Sequence, residues 1–133
     1  MKVVFADTFY WIALTLPRDA GHARAEEVTD DIVTTDEVLT EYLTFFSASP
    51  ERLRRQVAMN VEAVLSDPTV QVIPQSHDSF LAGLELYRNR PDKGYSLTDC
   101  ISMQTMRREG LTEVLTNDRH FEQEGFRVLL RDG

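Results

Sequence analysis

The stretch Val3-Val4-Phe5-Ala6-Asp7-Thr8 decides the fold that the rest of the chain must complete. Its first four residues are apolar and two of them are β-branched, as is typical of a short buried strand. Asp7 and Thr8 follow at once, and both residue types favour the start of a helix. That helix is predicted to run through Leu14 and to end before Pro17. The first two elements are therefore predicted to be a strand and a helix.

The same alternation recurs along the chain. Further strands are predicted at 32–34, 70–73, 114–115 and 128–130, and further helices at 19–28, 37–47, 50–65, 76–88 and 97–109. Thr34 and Glu37 have the spacing of a capping box at one helix start. Short apolar strands separated by helices favour a parallel sheet with helices on both faces. The predicted fold class is therefore α/β, with residues 1–133 forming one domain.

The composition favours a folded, cytoplasmic protein. Hydrophobic residues make up 42% of the chain, and no apolar run reaches the ~18 residues of a membrane-spanning helix. The first residues lack the apolar core of a signal peptide. A single cysteine, Cys100, excludes an internal disulfide and suits a reducing compartment. We therefore expect a protein of the cytoplasm that does not bind a membrane.

The formal net charge of −8 argues against an ordinary nucleic-acid binder, since such proteins carry a basic face. A surplus of carboxylates is still compatible with a nuclease if several converge on cations, because the cations then attract phosphate. Two local groups of basic residues also occur, one at positions 52, 54 and 55 and one formed by Arg88, Arg90 and Lys93. Taken singly, each group is typical of a solvated surface.

Acidic residues occupy the positions where a parallel sheet forms its binding crevice, outside the carboxyl ends of the strands. Asp7 and Asp118 each follow a predicted strand, and Glu41 lies at the margin of the apolar face of its helix. Asp99 is the only charged residue in the ten positions 97–106. A buried ionised aspartate is costly unless it is paired, capping or bound to metal.

Each acid also has a structural interpretation. Asp7 and Asp118 suit helix caps or turns, and Glu41 suits a boundary side chain that reaches water. Asp99 stands three residues after Ser96, which is the spacing of a capping box and is compatible with metal binding. Four acids at two strand ends and on two helices that can flank one crevice nevertheless favour a shared site.

Such a set of carboxylates is suited to phosphodiester hydrolysis. One or two Mg²⁺ ions held by carboxylates would bind the phosphate, generate a nucleophilic water and stabilise the leaving oxygen. Oxygen ligands favour Mg²⁺ or Mn²⁺, whereas zinc and a histidine-driven mechanism are disfavoured because His22, His77 and His120 are far apart in sequence. A phosphatase with an aspartate nucleophile would need a second acid where Phe9 stands.

The order of the acidic motifs resembles the signature of PIN-domain proteins, and more narrowly that of the VapC-type toxins of bacterial and archaeal toxin–antitoxin pairs. The motifs are Val4-Phe5-Ala6-Asp7-Thr8, Thr40-Glu41-Tyr42, Tyr95-Ser96-Leu97-Thr98-Asp99-Cys100 and Leu115-Thr116-Asn117-Asp118-Arg119-His120-Phe121. The resemblance extends over almost the entire chain and retains all four acids. It implies a three-layer α/β/α sandwich, metal-dependent endoribonuclease activity, a homodimer, and inhibition by a cognate antitoxin whose peptide occupies the active-site groove.

Applied to this sequence, the resemblance implies that Asp7, Glu41, Asp99 and Asp118 bind Mg²⁺ and that water is the nucleophile. The neighbouring hydroxyl residues are expected to orient a water or a carboxylate, although capping is an equal alternative; they are Thr8, Ser96 and Thr116. The loop before the Asp99 helix supplies the candidates for contact with the RNA backbone, namely Arg88, Arg90 and Lys93. The alternative function is a catalytically inactive PIN-like module that binds a partner protein.

Overall fold

The computed structural model describes residues 2–131. Its elements, in chain order, are β1 Val3–Ala6, α1 Thr8–Thr15, α2 His22–Glu26, β2 Asp31–Thr35, α3 Asp36–Phe45, α4 Glu51–Ser66, β3 Val70–Ile73, α5 His77–Asn89, α6 Leu97–Glu109, β4 Glu113–Leu115, α7 Arg119–Gln123 and β5 Arg127–Val128. No helix among these is both long and apolar enough to cross a membrane.

The five strands form one sheet in the order β3-β2-β1-β4-β5. Every neighbouring pair is parallel, with Phe5 beside Val33 of β2 and beside Val114 of β4. The strand β1 is central, and its consecutive residues Val4, Phe5 and Ala6 are all fully buried. Since neighbouring residues of a strand point to opposite faces, helices must cover both sides of the sheet. The predicted α/β sandwich with a parallel sheet is therefore confirmed.

The carboxyl ends of β1 and β4 lie side by side because these strands pair directly, with Ala6 beside Leu115. The ladder continues one step further, since the backbone N–H of Asp7 donates to the carbonyl of Leu115 over 3.3 Å. The residues that follow these two strands are thus held at the same edge of the sheet. This pairing brings Asp7 and Thr116 together although they are far apart in sequence.

The helix that carries Asp99 packs closely on its neighbour. Gly83 of α5 lies against α6, and a Cβ atom at position 83 would stand 2.4 Å from Cγ1 of Ile101. A glycine is therefore required for the two helices to approach this closely. The helix α6 begins with the capping box predicted for Ser96 and Asp99, and ends at Gly110, whose φ of 70° is left-handed. Both ends of α6 are thus fixed by residues recognised in the sequence.

Some predicted boundaries are wrong for local reasons. The cap of α3 is Thr35, whose hydroxyl accepts from Val38 N over 3.1 Å. The predicted cap, Thr34, instead donates its hydroxyl to the carbonyl of Ala6 over 2.9 Å, which ties β2 to β1. The helix α2 is shorter than predicted because the Asp19 side chain accepts from Gly21 N over 2.8 Å and forms a turn there.

Two further differences lie near the carboxyl end of the chain. The last strand is Arg127–Val128, whereas residues 128–130 were predicted. The short helix Arg119–Gln123 was not predicted, although Asp118 before it is a typical capping residue. A helix of one turn has too little apolar periodicity to be recognised in a sequence.

Candidate active site

One cavity of about 870 Å³ is lined by all four of the acids predicted to form a site. Asp7 follows β1, Glu41 lies on α3, Asp99 lies in the first turn of α6, and Asp118 precedes α7. We call this space the acidic cavity. Its wall also contains other polar and apolar side chains, among them Thr8, Phe9, Ile12, Thr44, Phe45, Thr116, Asn117, Arg119, His120 and Gln123.

Asp7 is the most deeply buried of the four acids, with a relative exposure of 6%. It stands at the cap position of α1, but its side chain makes no capping hydrogen bond. Oδ2 accepts a hydrogen bond from the Thr116 hydroxyl over 2.8 Å, whereas Oδ1 is buried and has no hydrogen-bond partner among residues 2–131. Burial, assisted by the negative charge of Asp99, raises the pKa of Asp7 to about 7.

Glu41 lies on α3 in the wall of the acidic cavity. The hydroxyl of Thr8, which is the first residue of α1, donates a hydrogen bond to Oε1 of Glu41. This contact joins α1 to α3 at the level of the acids. Glu41 is half-buried, in keeping with its predicted position at the margin of the apolar face.

Asp99 combines capping with a place in the acidic cavity. Its Oδ2 accepts from Ser96 N over 3.1 Å, and its own N–H donates to the Ser96 hydroxyl over 3.0 Å. Burial raises the pKa of Asp99, and the nearby negative charge of Asp118 acts in the same direction. The structural and functional interpretations of Asp99 are therefore geometrically compatible.

Asp118 caps α7, because its Oδ1 accepts from His120 N over 2.9 Å. Its own N–H donates to the Thr116 hydroxyl over 3.2 Å. The Thr116 hydroxyl thus accepts from the Asp118 backbone and donates to the Asp7 carboxylate. This fully buried threonine fixes the relative positions of two acids.

The three candidate RNA-contact cations do not line the acidic cavity. Arg90 donates from Nε to Oε2 of Glu124 over 2.8 Å, and Lys93 pairs with Asp92 over 3.7 Å, while Arg88 is exposed on α5. Contact between these residues and RNA stays a prediction. Arg90 would have to contact RNA while it keeps its ion pair with Glu124.

Sequence reasoning missed two residues of the cavity wall that can interact with an anionic or metallic ligand. Arg119 is an exposed cation in the wall, and His120 places Nδ1 3.4 Å from Oδ1 of Asp118 and 3.8 Å from Oδ2 of Asp99. Arg119 and His120 are the two residues after Asp118 in the chain. That proximity to a candidate acid is the signal that the sequence offers for both residues.

The residues present fit a divalent cation. The acidic cavity offers carboxylate oxygens, the ligands that Mg²⁺ and Mn²⁺ prefer. Oδ1 of Asp7 is buried and has no hydrogen-bond partner within residues 2–131, which is costly for a polar atom unless a ligand satisfies it. Mutual repulsion of the acids would be relieved by a positive ion between them.

The PIN-domain family model matches residues 4–126. The chain belongs to the PIN-domain family. Among curated proteins, the 23S rRNA-specific endonuclease VapC20 of Mycobacterium tuberculosis is 26% identical to this PIN-domain chain, over 93% of this chain and 95% of the relative. The predicted family and the resemblance to VapC-type toxins are thereby confirmed.

Solved structures of similar proteins share the fold of this PIN-domain chain. The crystal structure of M. tuberculosis VapC20, described as a sarcin-ricin loop cleaving toxin, aligns with a TM-score of 0.81 and 24% identity, covering 94% of this chain and 96% of that one. VapBC2 from Rickettsia felis, bound to a DNA fragment from its promoter, aligns with a TM-score of 0.69 and 16% identity, covering 96% and 98%.

The burial of Asp7 predicts a pH-dependent cost in the metal-free protein. Its pKa is raised on folding, so the folded state binds more protons than the unfolded state, and stability falls as the pH rises from about 4 to about 7. In EDTA at pH 8, Asp7→Asn should therefore be more stable than wild type by roughly 2–4 kcal/mol, from the size of the pKa shift. The gap should shrink as the pH falls to 5.

Urea unfolding of both proteins between pH 5 and pH 8 measures this gap. The matched control is Asp92→Asn, which replaces an exposed aspartate and should show no such trend. An Asp7→Asn gap that does not change with pH would show that folding leaves the titration of Asp7 unperturbed.

Proposed function

We propose that this PIN-domain chain is a Mg²⁺-dependent endoribonuclease and the toxin component of a toxin–antitoxin pair. The observation that carries the proposal is the convergence of Asp7, Glu41, Asp99 and Asp118 on one cavity at the carboxyl edge of the sheet. The similarity to an rRNA endonuclease over 93% of the chain supports RNA as the substrate. 23S rRNA is consequently the first defined substrate to test.

In this proposal the four acids hold Mg²⁺, with Mn²⁺ as a substitute. When bound, the ion supplies the charge that attracts the phosphate, together with Lewis-acid activation of water. Among residues 2–131, the cavity wall contains no serine or cysteine, and the threonines beside the acids, Thr8 and Thr116, donate their hydroxyls to carboxylates. Water is therefore the nucleophile that we propose.

The surrounding residues have positioning roles in this scheme. The Thr116 hydroxyl donates to the Asp7 carboxylate and accepts from the backbone N–H of Asp118, which orients Asp7 relative to Asp118. Thr8 orients Glu41 in the same way from the first turn of α1. The Ser96 backbone holds one oxygen of Asp99, which leaves the remaining lone pairs of that carboxylate available. Such contacts fix ligand geometry before an ion binds.

Cleavage of purified 23S rRNA and of a total-RNA pool tests the proposal. The wild-type protein should give discrete fragments with Mg²⁺ or Mn²⁺ and none with EDTA. Asp7→Asn should lower the rate by about 100-fold or more, because it removes charge from the centre of the site. The control Asp92→Asn should cut like wild type.

The inactive partner-binding module predicts a different outcome. In that case wild-type protein free of antitoxin would leave every RNA intact, and calorimetry would detect no binding of Mn²⁺. Both results together would replace the nuclease with the binding module. Cleavage that persists in EDTA would instead contradict metal dependence while leaving RNA as the substrate.

The salt dependence of RNA binding locates the phosphate contacts. The measurement uses an Asp7→Asn background, which prevents cleavage. There Arg119→Ala should weaken RNA binding and reduce the slope of log K against log salt concentration by about 1. Replacing Arg88 and Arg90 together with Ala tests the loop in the same way, with a larger loss at low salt than at high salt. Arg52→Ala on α4 is the control, and affinities unchanged at every salt concentration would exclude the residues concerned.

Two exposed apolar surfaces support the two protein partners that we propose. Phe45 is 60% exposed at the wall of the acidic cavity, and an antitoxin peptide with apolar and basic side chains would complement that wall. A second surface on α5 is suited to a homodimer; its exposed residues are Phe80, Leu81, Leu84 and Tyr87. The VapBC2 structure from Rickettsia felis contains a chain with the same fold.

The two surfaces can be separated by light scattering of the protein alone and co-expressed with its antitoxin. Leu84→Asp should convert a dimer to a monomer, because it places a charge in an apolar contact. Phe45→Asp should leave the dimer intact but weaken the antitoxin complex. A monomeric wild type would contradict the dimer, and an unaffected complex with Phe45→Asp would contradict the location of the antitoxin.

A further inference from the structure

We propose that His120 supplies an imidazole nitrogen to the cation held by Asp99 and Asp118, so that this end of the acidic cavity is a mixed nitrogen and oxygen site. This inference rests on the proposed function, since it concerns an ion in the same cavity. It adds a ligand outside the four-carboxylate set and changes the expected metal preference.

The first argument is distance. One donor atom each from Asp99, Asp118 and His120 lie within 4.8 Å of one another. Nδ1 of His120 is 3.4 Å from Oδ1 of Asp118 and 3.8 Å from Oδ2 of Asp99. In an octahedral site with bonds of about 2.1 Å, adjacent ligand atoms stand about 3 Å apart and opposite ones about 4.2 Å apart. The observed separations fall in that range.

The second argument is that Nδ1 of His120 is buried and has no hydrogen-bond partner among residues 2–131. A carboxylate oxygen is only 3.4 Å away, yet the two atoms are not aligned for a hydrogen bond. An imidazole that served only to pair with these acids would gain by aligning with one of them. A nitrogen placed between two carboxylates without bonding to either is suited to share a ligand with them.

The third argument is that one backbone contact and one ring contact fix the position of His120. The backbone N–H of His120 donates to Oδ1 of Asp118 over 2.9 Å, which fixes the start of α7. The ring of Tyr95 packs against the imidazole at a centroid distance of 5.1 Å. Tyr95 is itself anchored, because its hydroxyl donates to Glu124 over 2.8 Å. Fixed orientation of a histidine ring is characteristic of metal ligands.

An independent observation points to a ligand in the same cavity. Asp7 is buried more than nine-tenths, and its Oδ1 has no partner in the described part of the chain. Two buried polar atoms in the wall of one cavity, Oδ1 of Asp7 and Nδ1 of His120, thus lack hydrogen-bond partners in the part of the chain that the structure describes. The buried Oδ1 of Asp7 is therefore a second sign, separate from the Asp99, Asp118 and His120 group, that this cavity receives a ligand.

A nitrogen ligand changes which ions bind well. Carboxylate oxygens suit Mg²⁺, whereas imidazole nitrogen suits transition-metal ions. With His120 among the ligands, the site should bind Mn²⁺ more tightly than Mg²⁺. Removing the imidazole should therefore lower the affinity for Mn²⁺ and affect Mg²⁺ much less.

Electron spin-echo spectroscopy of Mn²⁺ bound to the purified full chain tests the ligand directly. The wild-type protein should show ¹⁴N coupling to the ion, replaced by ¹⁵N coupling after labelling with ¹⁵N-histidine. His120→Asn should abolish the coupling and lower the Mn²⁺ affinity about 10-fold or more in calorimetry. Its Mg²⁺ affinity should change by less than about 3-fold. His77→Asn, at an exposed histidine on α5, is the matched control and should retain both properties.

Each outcome has a separate meaning. Mn²⁺ that binds wild type without nitrogen coupling overturns the role of His120 and leaves the nuclease proposal standing. Coupling that survives in His120→Asn also overturns it. A wild-type protein that binds neither Mn²⁺ nor Mg²⁺ overturns the metal site itself, and with it both proposals. The labelled wild type decides the question even if His120→Asn does not fold.

Discussion

The site depends on the hydrogen bond from the Thr116 hydroxyl to Asp7, made where β1 and β4 end side by side. Without the direct pairing of these strands, residues 7 and 116 would not meet. The same hydroxyl accepts from the backbone of Asp118, so one buried side chain positions two acids. The arrangement is built from parallel strands, because only these place successive strand ends at the same edge of a sheet.

The pKa values of two buried acids, Glu124 and Asp7, are shifted in opposite directions. Burial alone would raise the pKa of Glu124, but hydrogen bonds from Arg90, Arg107 and Tyr95 outweigh it and lower that pKa to about 2. At Asp7, burial and the negative charge of Asp99 outweigh the hydrogen bonds that its carboxylate receives, so the pKa of Asp7 rises instead. The negative charge of Glu124 is compensated by Arg90 and Arg107. Glu124 is therefore a structural acid, and its ion pairs join α5, α6 and α7. The missing compensation at Asp7 is what a site for an external cation requires.

The sheet and the four acids could be predicted because their signals are local. An acid directly after a strand, and a serine three residues before an aspartate, are patterns within a few residues of sequence, and both are present as predicted at Asp7 and at Ser96. The cap of α3 was misplaced by one residue because Thr34 and Thr35 are chemically equal candidates. Only the pairing of β2 with β1, which engages the Thr34 hydroxyl, distinguishes them.

The residues that were missed depend on contacts between distant parts of the chain. His120 approaches Asp99 only because α7 packs beside the start of α6, and sequence spacing does not report that contact. The net charge of −8 is a sum over the whole chain and does not describe how charge is distributed at the acidic cavity. Several of the acids line one cavity, and the exposed cation Arg119 lies in its wall. In the proposed function a bound cation offsets part of the negative charge at the centre, and the field that a phosphate meets is then set by the nearby groups, because more distant exposed charges are screened beyond about 8–10 Å. A net negative chain can therefore present a locally attractive site for RNA.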